Sequence, residues 1–213
     1  MKFRKSFVLA AALAAALPAV SMAATATEPA ATVNVKLADT RAALRDLWIG
    51  HVFWVRNVVE ARFDNNDAAA AAAERQVVAN AHAIAGAIEP FYGKAASDKL
   101  FTLLAGHWGA IKGYLDATQA GDKAGQDKAL NALLANANEI AEFLGGANPN
   151  LPVDVLKSLL TAHGSHHVQQ IQEFKAKQFE EEAKTWAAMS HHMYMIADAL
   201  ADGIAKQFPD KFR

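Results

Sequence analysis

Eight histidines and a small cluster of methionines are the side chains of this sequence with the clearest chemistry. Imidazole nitrogen binds copper and zinc ions, and thioether sulfur is a soft ligand that suits Cu(I). Most of these residues lie in two patches, His163-Gly-Ser-His166-His167 and Met189-Ser-His191-His192-Met193-Tyr194-Met195. Apolar residues at helical spacing on both sides of Lys177 indicate two amphipathic helices. If the chain reverses near Lys177, the patches face each other across an antiparallel hairpin and predict a site for soft or borderline metals.

Four histidines fall near the midpoints of predicted helices. The apolar periodicity places the midpoints of the first, third, fifth and sixth helices near residues 51, 107, 164 and 193. The residues at these midpoints are His51, His107, His163 and His192, each on or beside an apolar stripe. In an up-and-down bundle the midpoints share one level, so the four imidazoles would converge in one layer of the core. His167, one turn after His163 on the same face, would join them.

Buried imidazoles need partners for both ring nitrogens, and several arrangements would supply them. A metal ion is one. A non-covalent b-type haem with a His/His or His/Met axial pair is the alternative, and it needs a larger apolar slot but only two ligands. A structural or interaction protein with a core layer of histidines, able to sense pH, is the second alternative. We expect His82, His166 and His191 on the surface, where His166 and His191 are candidates for a secondary site.

The methionines favour copper over zinc. Met189, Met193 and Met195 follow the predicted signal sequence and are interleaved with His191 and His192. Met189, His192 and Met193 share one helix face, and core filling is the alternative role for Met193. The sequence therefore predicts a site for copper first and zinc second. Its candidate ligands are His51, His107, His163, His167, Met189, His192 and Met193.

Six helical segments separated by turn signals must position these ligands. We predict that the first starts at Asp39 or Thr40, that Pro90 and Gly93 stop the second, and that the segment from Gly145 to Asn150 ends the fourth. The predicted fold class is all-α, an up-and-down helical bundle of about six helices with a four-helix-bundle-like core. A single long helix in place of the last two would separate the patches by roughly 1.5 Å per residue and remove the shared site.

The N-terminus has the pattern of a secretory signal peptide. Basic residues precede an apolar run that ends in Ser21-Met22-Ala23, which predicts cleavage after Ala23. We expect a signal peptide over residues 1–23, a flexible leader over 24–38 and a single helical-bundle domain over 39–213. No later segment is apolar enough for a membrane span. The expected location is periplasmic or secreted.

Composition excludes several functions. The chain has no cysteine, which rules out disulfides, thiolate sites, iron–sulfur clusters and covalent haem. Without the signal, the chain has 18 basic and 22 acidic residues, and this excess of negative charge argues against nucleic acid as a partner. No Glu-x-x-His pair of a di-iron bundle occurs, and no acid–base or nucleophile set is visible. We therefore expect a metal-binding protein that is not an enzyme, with homo-oligomer formation left open.

Short motifs scattered over the chain resemble those of a family of exported bacterial helical-bundle proteins of uncharacterised activity. The matching pieces are Leu47-Trp48-x-x-His51-Val52-x-Trp54-x-Arg56, Pro90-Phe91-Tyr92-Gly93, Leu103-Leu104-x-x-His107, Ala147-Asn148-Pro149-Asn150, His163, Ala197-Asp198-x-Leu200 and Lys206-Gln207-Phe208-Pro209. The resemblance implies a helical bundle with histidines at positions 51, 107 and 163. It implies little about activity, and the segment 189–195 is richer in His and Met than the resemblance leads us to expect.

Overall fold

The fold is an all-α, up-and-down bundle, as predicted. The computed structural model describes residues 35–213, and the expected signal peptide and the leader up to residue 34 lie outside them. The helices are α1 (Val35–Phe63), α2 (Asp67–Tyr92), α3 (Lys94–Ala120), α4 (Lys123–Ala147), α5 (Val153–Ala176) and α6 (Phe179–Gln207), followed by a 3₁₀ turn at Pro209–Phe212. Each helix packs on its neighbour in sequence, α6 closes the ring on α1, and α5 also contacts α1 and α3.

The chain reverses between α5 and α6, so these helices form a hairpin rather than one long helix. Lys177 ends α5 in the left-handed conformation, and its N–H donates to the carbonyls of Glu173 and Phe174. The two histidine patches can face each other only because the chain reverses here. The rings of His166 and His192 accordingly lie 5.5 Å apart across the hairpin.

The bundle consists of three copies of one helical hairpin, with a period of 56 residues. The residue with positive φ in the three hairpin turns is Asn65, Gly121 and Lys177, with φ of 57°, 71° and 57°. The second helix of each hairpin begins two residues later in every case. The same period relates buried side chains: Leu44, Leu100 and Leu156; Ile84, Ile140 and Ile196; Ala85, Ala141 and Ala197. We call α1–α2, α3–α4 and α5–α6 the first, second and third hairpins.

One boundary differs from the prediction and two fall where it put them, since α2 ends just before Gly93 and α4 ends at Ala147, within the segment from Gly145 to Asn150. α1 begins at Val35, ahead of Asp39. Pro90 lies inside α2, which continues to Tyr92, because a proline in the last turn removes a single hydrogen bond. Gly145 and Gly146 lie inside α4. The reason for Gly145 is close packing, since a Cβ there would meet Val153 Cγ2 at 2.5 Å.

The core divides into two apolar clusters along the bundle axis. In α1 the first cluster contains Trp48 and Val52, and the second begins at Val55. The corresponding division in α3 falls between Leu104 and Trp108. The division between the clusters falls at the level of the buried histidines.

Within residues 35–213, none of the helices has the length and hydropathy that a membrane span requires.

The repeat predicts the effect of a substitution at Lys177. A side chain in the left-handed conformation carries a steric cost that glycine avoids, partly offset by the greater freedom of glycine in the unfolded chain. We expect Lys177→Gly, which introduces the residue of the second hairpin, to raise the free energy of unfolding by about 0.5–1 kcal/mol. Urea unfolding measures it, with Lys177→Ala as the control that keeps the strain. A decrease for the glycine variant would contradict this account.

Candidate metal centre

Three equivalent helices each contribute one buried histidine to the centre of the bundle. His51 in α1, His107 in α3 and His163 in α5 stand 56 residues apart, and all three are buried. Because α1, α3 and α5 are the first helices of their hairpins, they run in the same direction. Equivalent residues on them therefore lie at one level, and their imidazoles converge as three vertices around the axis of the repeat.

A fourth imidazole comes from one further position in the third hairpin. His167 lies one turn after His163, where the first and second hairpins have Val55 and Ile111. All three residues are buried, with exposures of 0–1%. A ligand one layer away from a triangle of three completes a four-coordinate set. We name His51, His107, His163 and His167 the core four.

The core four are close enough to share one ion. One ring nitrogen from each lies within 4.8 Å of those of the others. Their ring centroids are between 4.5 Å apart, for His163 and His167, and 6.4 Å apart, for His107 and His167. Two nitrogens at about 2.0–2.1 Å from a tetrahedral ion are about 3.4 Å apart. Even the widest pair would need to close by only about 0.7 Å per ring, which side-chain rotation can supply.

The surroundings of the core four are apolar and leave ring nitrogens without partners. Trp48, Leu104 and Leu160 form the buried layer one turn before the three equivalent histidines. Nε2 of His107 and both nitrogens of His163 and of His167 are buried without a hydrogen-bond partner. Five unpaired polar atoms in one layer carry a substantial desolvation cost. A bound cation would satisfy several of them at once.

Burial keeps these imidazoles neutral. It lowers the pKa of His51 to about 3, with a smaller contribution from His107. Burial also lowers the pKa of His107 to about 4, against the opposing effect of its hydrogen bond with Asn136. The pKa values of His163 and His167 lie well below the ordinary value, again mainly through burial and then through the neighbouring histidines. Neutral imidazole is the form that binds a metal.

Asn136 of α4 fixes the ring of His107 in the tautomer that a metal requires. Its Nδ2 donates to the carbonyl of Leu103 at 3.0 Å, so its Oδ1 faces His107 Nδ1 at 3.1 Å. An amide oxygen only accepts, so Nδ1 of His107 carries the proton and Nε2 presents its lone pair to the centre. Gly106 permits this approach, because a Cβ there would meet Asn136 Nδ2 at 3.2 Å.

Asn80 holds the equivalent place in the first hairpin. Its Nδ2 donates to the carbonyl of Leu47 at 3.0 Å, and its Oδ1 is buried without a partner. Asn80 therefore repeats the backbone contact of Asn136, while its Oδ1 makes no hydrogen bond to His51. Sequence reasoning missed both amides. The signal that finds them is the period of 56 residues, which places each of them 29 residues after a histidine.

His192, a predicted ligand, stands outside the core four and corresponds to Asn80 and Asn136 in the repeat. Its Nε2 donates to the carbonyl of Leu159 at 2.8 Å, the same contact that the two amides make in their hairpins. Nδ1 is then the nitrogen of His192 with a free lone pair. The structure therefore places His192 near His163, on the second helix of the hairpin.

Met189 and Met193 are fully buried in the first apolar cluster. The residues equivalent to Met189 in the first two hairpins are Val77 and Leu133, and those equivalent to Met193 are Ala81 and Ala137. All four of these residues are buried apolar side chains. The repeat therefore indicates core packing for the two methionines. Their role as soft ligands stays a prediction.

The remaining histidines differ in exposure. His82 and His191 are exposed, as expected, and the ring of His82 stacks on Phe101 with 3.6 Å between ring centroids. His166 is half-buried rather than exposed. Its neighbour across the hairpin is His192. The candidate secondary site of His166 and His191 stays a prediction, and the ring contact of His166 that the structure shows is with His192.

Comparisons of the chain with protein-family models, with curated proteins and with solved structures found no match. The resemblance to exported bacterial helical-bundle proteins therefore stays a prediction.

The low pKa values of the core four predict that the metal-free protein loses stability in acid. Below about pH 6.5 the histidines of the unfolded chain bind protons, whereas the buried imidazoles of the folded protein stay neutral. The free energy of unfolding therefore falls as pH decreases. Each fully shifted histidine contributes about 1.4 kcal/mol per pH unit. Urea unfolding at a series of pH values between about 7 and 4 measures the slope.

The repeat supplies the control for this measurement. His167→Ile gives the third hairpin the residue of the second and removes one titrating group. We expect its slope to be smaller by about one proton, or 1.4 kcal/mol per pH unit. Equal slopes for the two proteins would contradict the assignment of acid sensitivity to the core four.

Asn136 should matter for metal affinity more than for the fold. Asn136→Ala removes the acceptor that holds His107 in the metal-binding tautomer, and we expect affinity for Zn²⁺ to fall about 10–100-fold. Competition with a chromophoric chelator measures it. Asn138→Ala, which removes another asparagine of the same helix, is the matched control and should leave the affinity unchanged. An effect equal for both variants would show that the orienting hydrogen bond is unimportant.

Proposed function

We propose that this protein binds a transition-metal ion, copper first and zinc second, through His51, His107, His163 and His167. The observation that carries the proposal is the convergence of four buried imidazoles, with one ring nitrogen from each within 4.8 Å of the others and five of their eight ring nitrogens unpartnered. Four donors around one point match the closed tetrahedral coordination of sites that hold an ion rather than catalyse a reaction. We therefore propose sequestration, delivery or resistance as the role, and no enzymatic activity.

The charge of the site supports copper as the first choice. The ligand group within the described residues consists of imidazoles alone, with no carboxylate to balance the ion. The cost of placing an ion in an apolar core rises with the square of its charge, so Cu(I) costs about a quarter as much as a divalent ion of equal size. Among divalent ions, nitrogen ligands bind Cu²⁺ more tightly than Zn²⁺. Both comparisons rank copper ahead of zinc.

The packing of the four rings favours a bare ion over haem b. A haem needs an apolar slot between its two axial ligands. The rings of the core four instead contact one another, with centroid separations of 4.5–6.4 Å. A haem would have to separate helices α1, α3 and α5. The alternative of a purely structural histidine layer leaves the five unpaired nitrogens uncompensated, which is costly.

The expected location of this activity is the periplasm or the outside of the cell. This part of the proposal rests on the signal-like N-terminus and on the absence of cysteine, the usual ligand for soft metals in reducing compartments. Imidazole ligands survive in an oxidising compartment, where thiols would be lost to disulfides.

Elemental analysis and absorption spectroscopy of the untagged protein, purified from the periplasm, test the proposal. We expect one copper or zinc ion per chain, lost in the His107→Ala and His163→Ala variants and retained in His82→Ala, which removes an exposed histidine. An intense absorption band near the violet end, with negligible free metal, would point to haem instead. Binding of added metal no stronger than that of a variant lacking His51, His107, His163 and His167 would show that the histidine layer is structural.

A further inference from the structure

A second pair of imidazoles lies beside the core four, on the contact between α5 and α6. We name His166 of α5 and His192 of α6 the seam pair. Both residues are half-buried, and their rings are 5.5 Å apart. Nδ1 of His166 is buried without a partner, and Nδ1 of His192 is free because Nε2 donates to Leu159. Each ring therefore has a nitrogen available, at a separation that one ion could bridge.

The seam pair is adjacent to the core four. His192 contributes to the lowering of the pKa of His163, and His166 contributes to that of His167, in both cases after the larger effect of burial. His166 also precedes His167 directly in the chain. The half-buried pair thus stands between the solvent and the two core histidines of α5. An ion bound there would be one ligand exchange away from the core.

The other two hairpins provide an internal comparison. At the positions of the seam pair the first hairpin has Trp54 and Asn80, and the second has Ala110 and Asn136. Asn136 makes the same backbone contact as His192, so the contact itself does not require an imidazole. Of the three equivalent seams, the third is the one with two metal-binding side chains. This asymmetry requires a reason other than folding.

An approach to the core from another side has no pair of imidazoles in its lining, and His82, which stacks on Phe101 there, is exposed. A pocket between α1, α2 and α3 reaches His51, and the rest of its lining is apolar, with Val78 and Phe101 among its members. A hydrated cation entering there would lose water before it met a ligand, which is costly. At the seam each lost water is replaced by a nitrogen. The chemistry therefore favours the seam as the route of an ion.

We infer that the seam pair is a second metal-binding site, which takes a soft or borderline transition-metal ion from solvent and passes it to the core four through His163 and His167. The inference rests on the proposed function of the core. Each step exchanges one metal–ligand bond for another, with water released at the seam and the seam nitrogens freed at the core. No change of oxidation state is needed.

The repeat also defines the variant that tests the inference. His166→Ala with His192→Asn gives the third seam the residues of the second, so the contact to Leu159 is retained. Stopped-flow absorbance with Co²⁺ as the probe measures the association rate at the core. We expect the variant to bind about tenfold more slowly or worse, because the local supply of ion is lost, with its equilibrium affinity unchanged. An unchanged rate would overturn the inference.

His191→Ala is the matched control, since it introduces the residue of the second hairpin at an exposed histidine next to the pair. We expect its rate to equal that of the unmodified protein. A slowing as large as that of the seam variant would assign ion capture to the exposed patch and overturn the inference. A faster rate in Phe101→Ala, together with an unaffected seam variant, would place the route at the pocket beside His51 and overturn it as well.

Binding at the seam itself is measured in His51→Leu/His107→Leu, where the core is dismantled. Calorimetry with Zn²⁺ should show one weakly bound ion per chain, lost on addition of His166→Ala and His192→Asn. Absence of this ion would overturn the second site. Binding at the seam of a chain whose intact core holds no ion would overturn the proposed function instead, so the two failures are distinguishable.

Discussion

The desolvation of polar imidazoles in the middle of an apolar bundle is the constraint on which the rest of the structure depends. A neutral imidazole has one donor and one acceptor, and both need partners when water is excluded. Asn136 serves one nitrogen of His107, yet five nitrogens of the core four remain unpaired. The apolar clusters on either side of the layer exclude water as well. The layer is thus stable only to the extent that the surrounding packing, or an ion, compensates for it.

The threefold repeat explains how one sequence places several ligands at one point. When a hairpin with one inward histidine is present three times around an axis, the repetition alone brings three imidazoles together as a triangle. A histidine at position 167, where the other hairpins have the aliphatic Val55 and Ile111, then adds the fourth imidazole. A backbone contact is repeated along with position, since Asn80 and Asn136 donate to equivalent carbonyls in their hairpins. The third hairpin departs from this pattern by having His192 there.

The sequence predicts the fold class and much of the site, because both follow from helical periodicity. His51, His107 and His163 could be placed at one level from helix midpoints alone, and the reversal at Lys177 from the change of apolar pattern. His192 also stands near a midpoint, but its helix is the second of a hairpin, where the equivalent residues contact a backbone carbonyl. Periodicity within one helix does not distinguish the first helices from the second. Comparison between hairpins does, and it also indicates a packing role for Met193, whose counterparts are Ala81 and Ala137.

The position of the core four has a consequence for how the bundle is held together. His51, His107 and His163 belong to three different hairpins, so an ion bound to them would join all three at one point. The hairpins are otherwise connected pairwise, by the packing of α2 on α3, α4 on α5 and α6 on α1 and by the contacts of α5 with α1 and α3. An ion that binds the folded bundle but not the unfolded chain adds its binding free energy to stability. The same centre that makes the metal-free core costly would then be the strongest link between the hairpins, and the protein's folding and its metal load would be coupled.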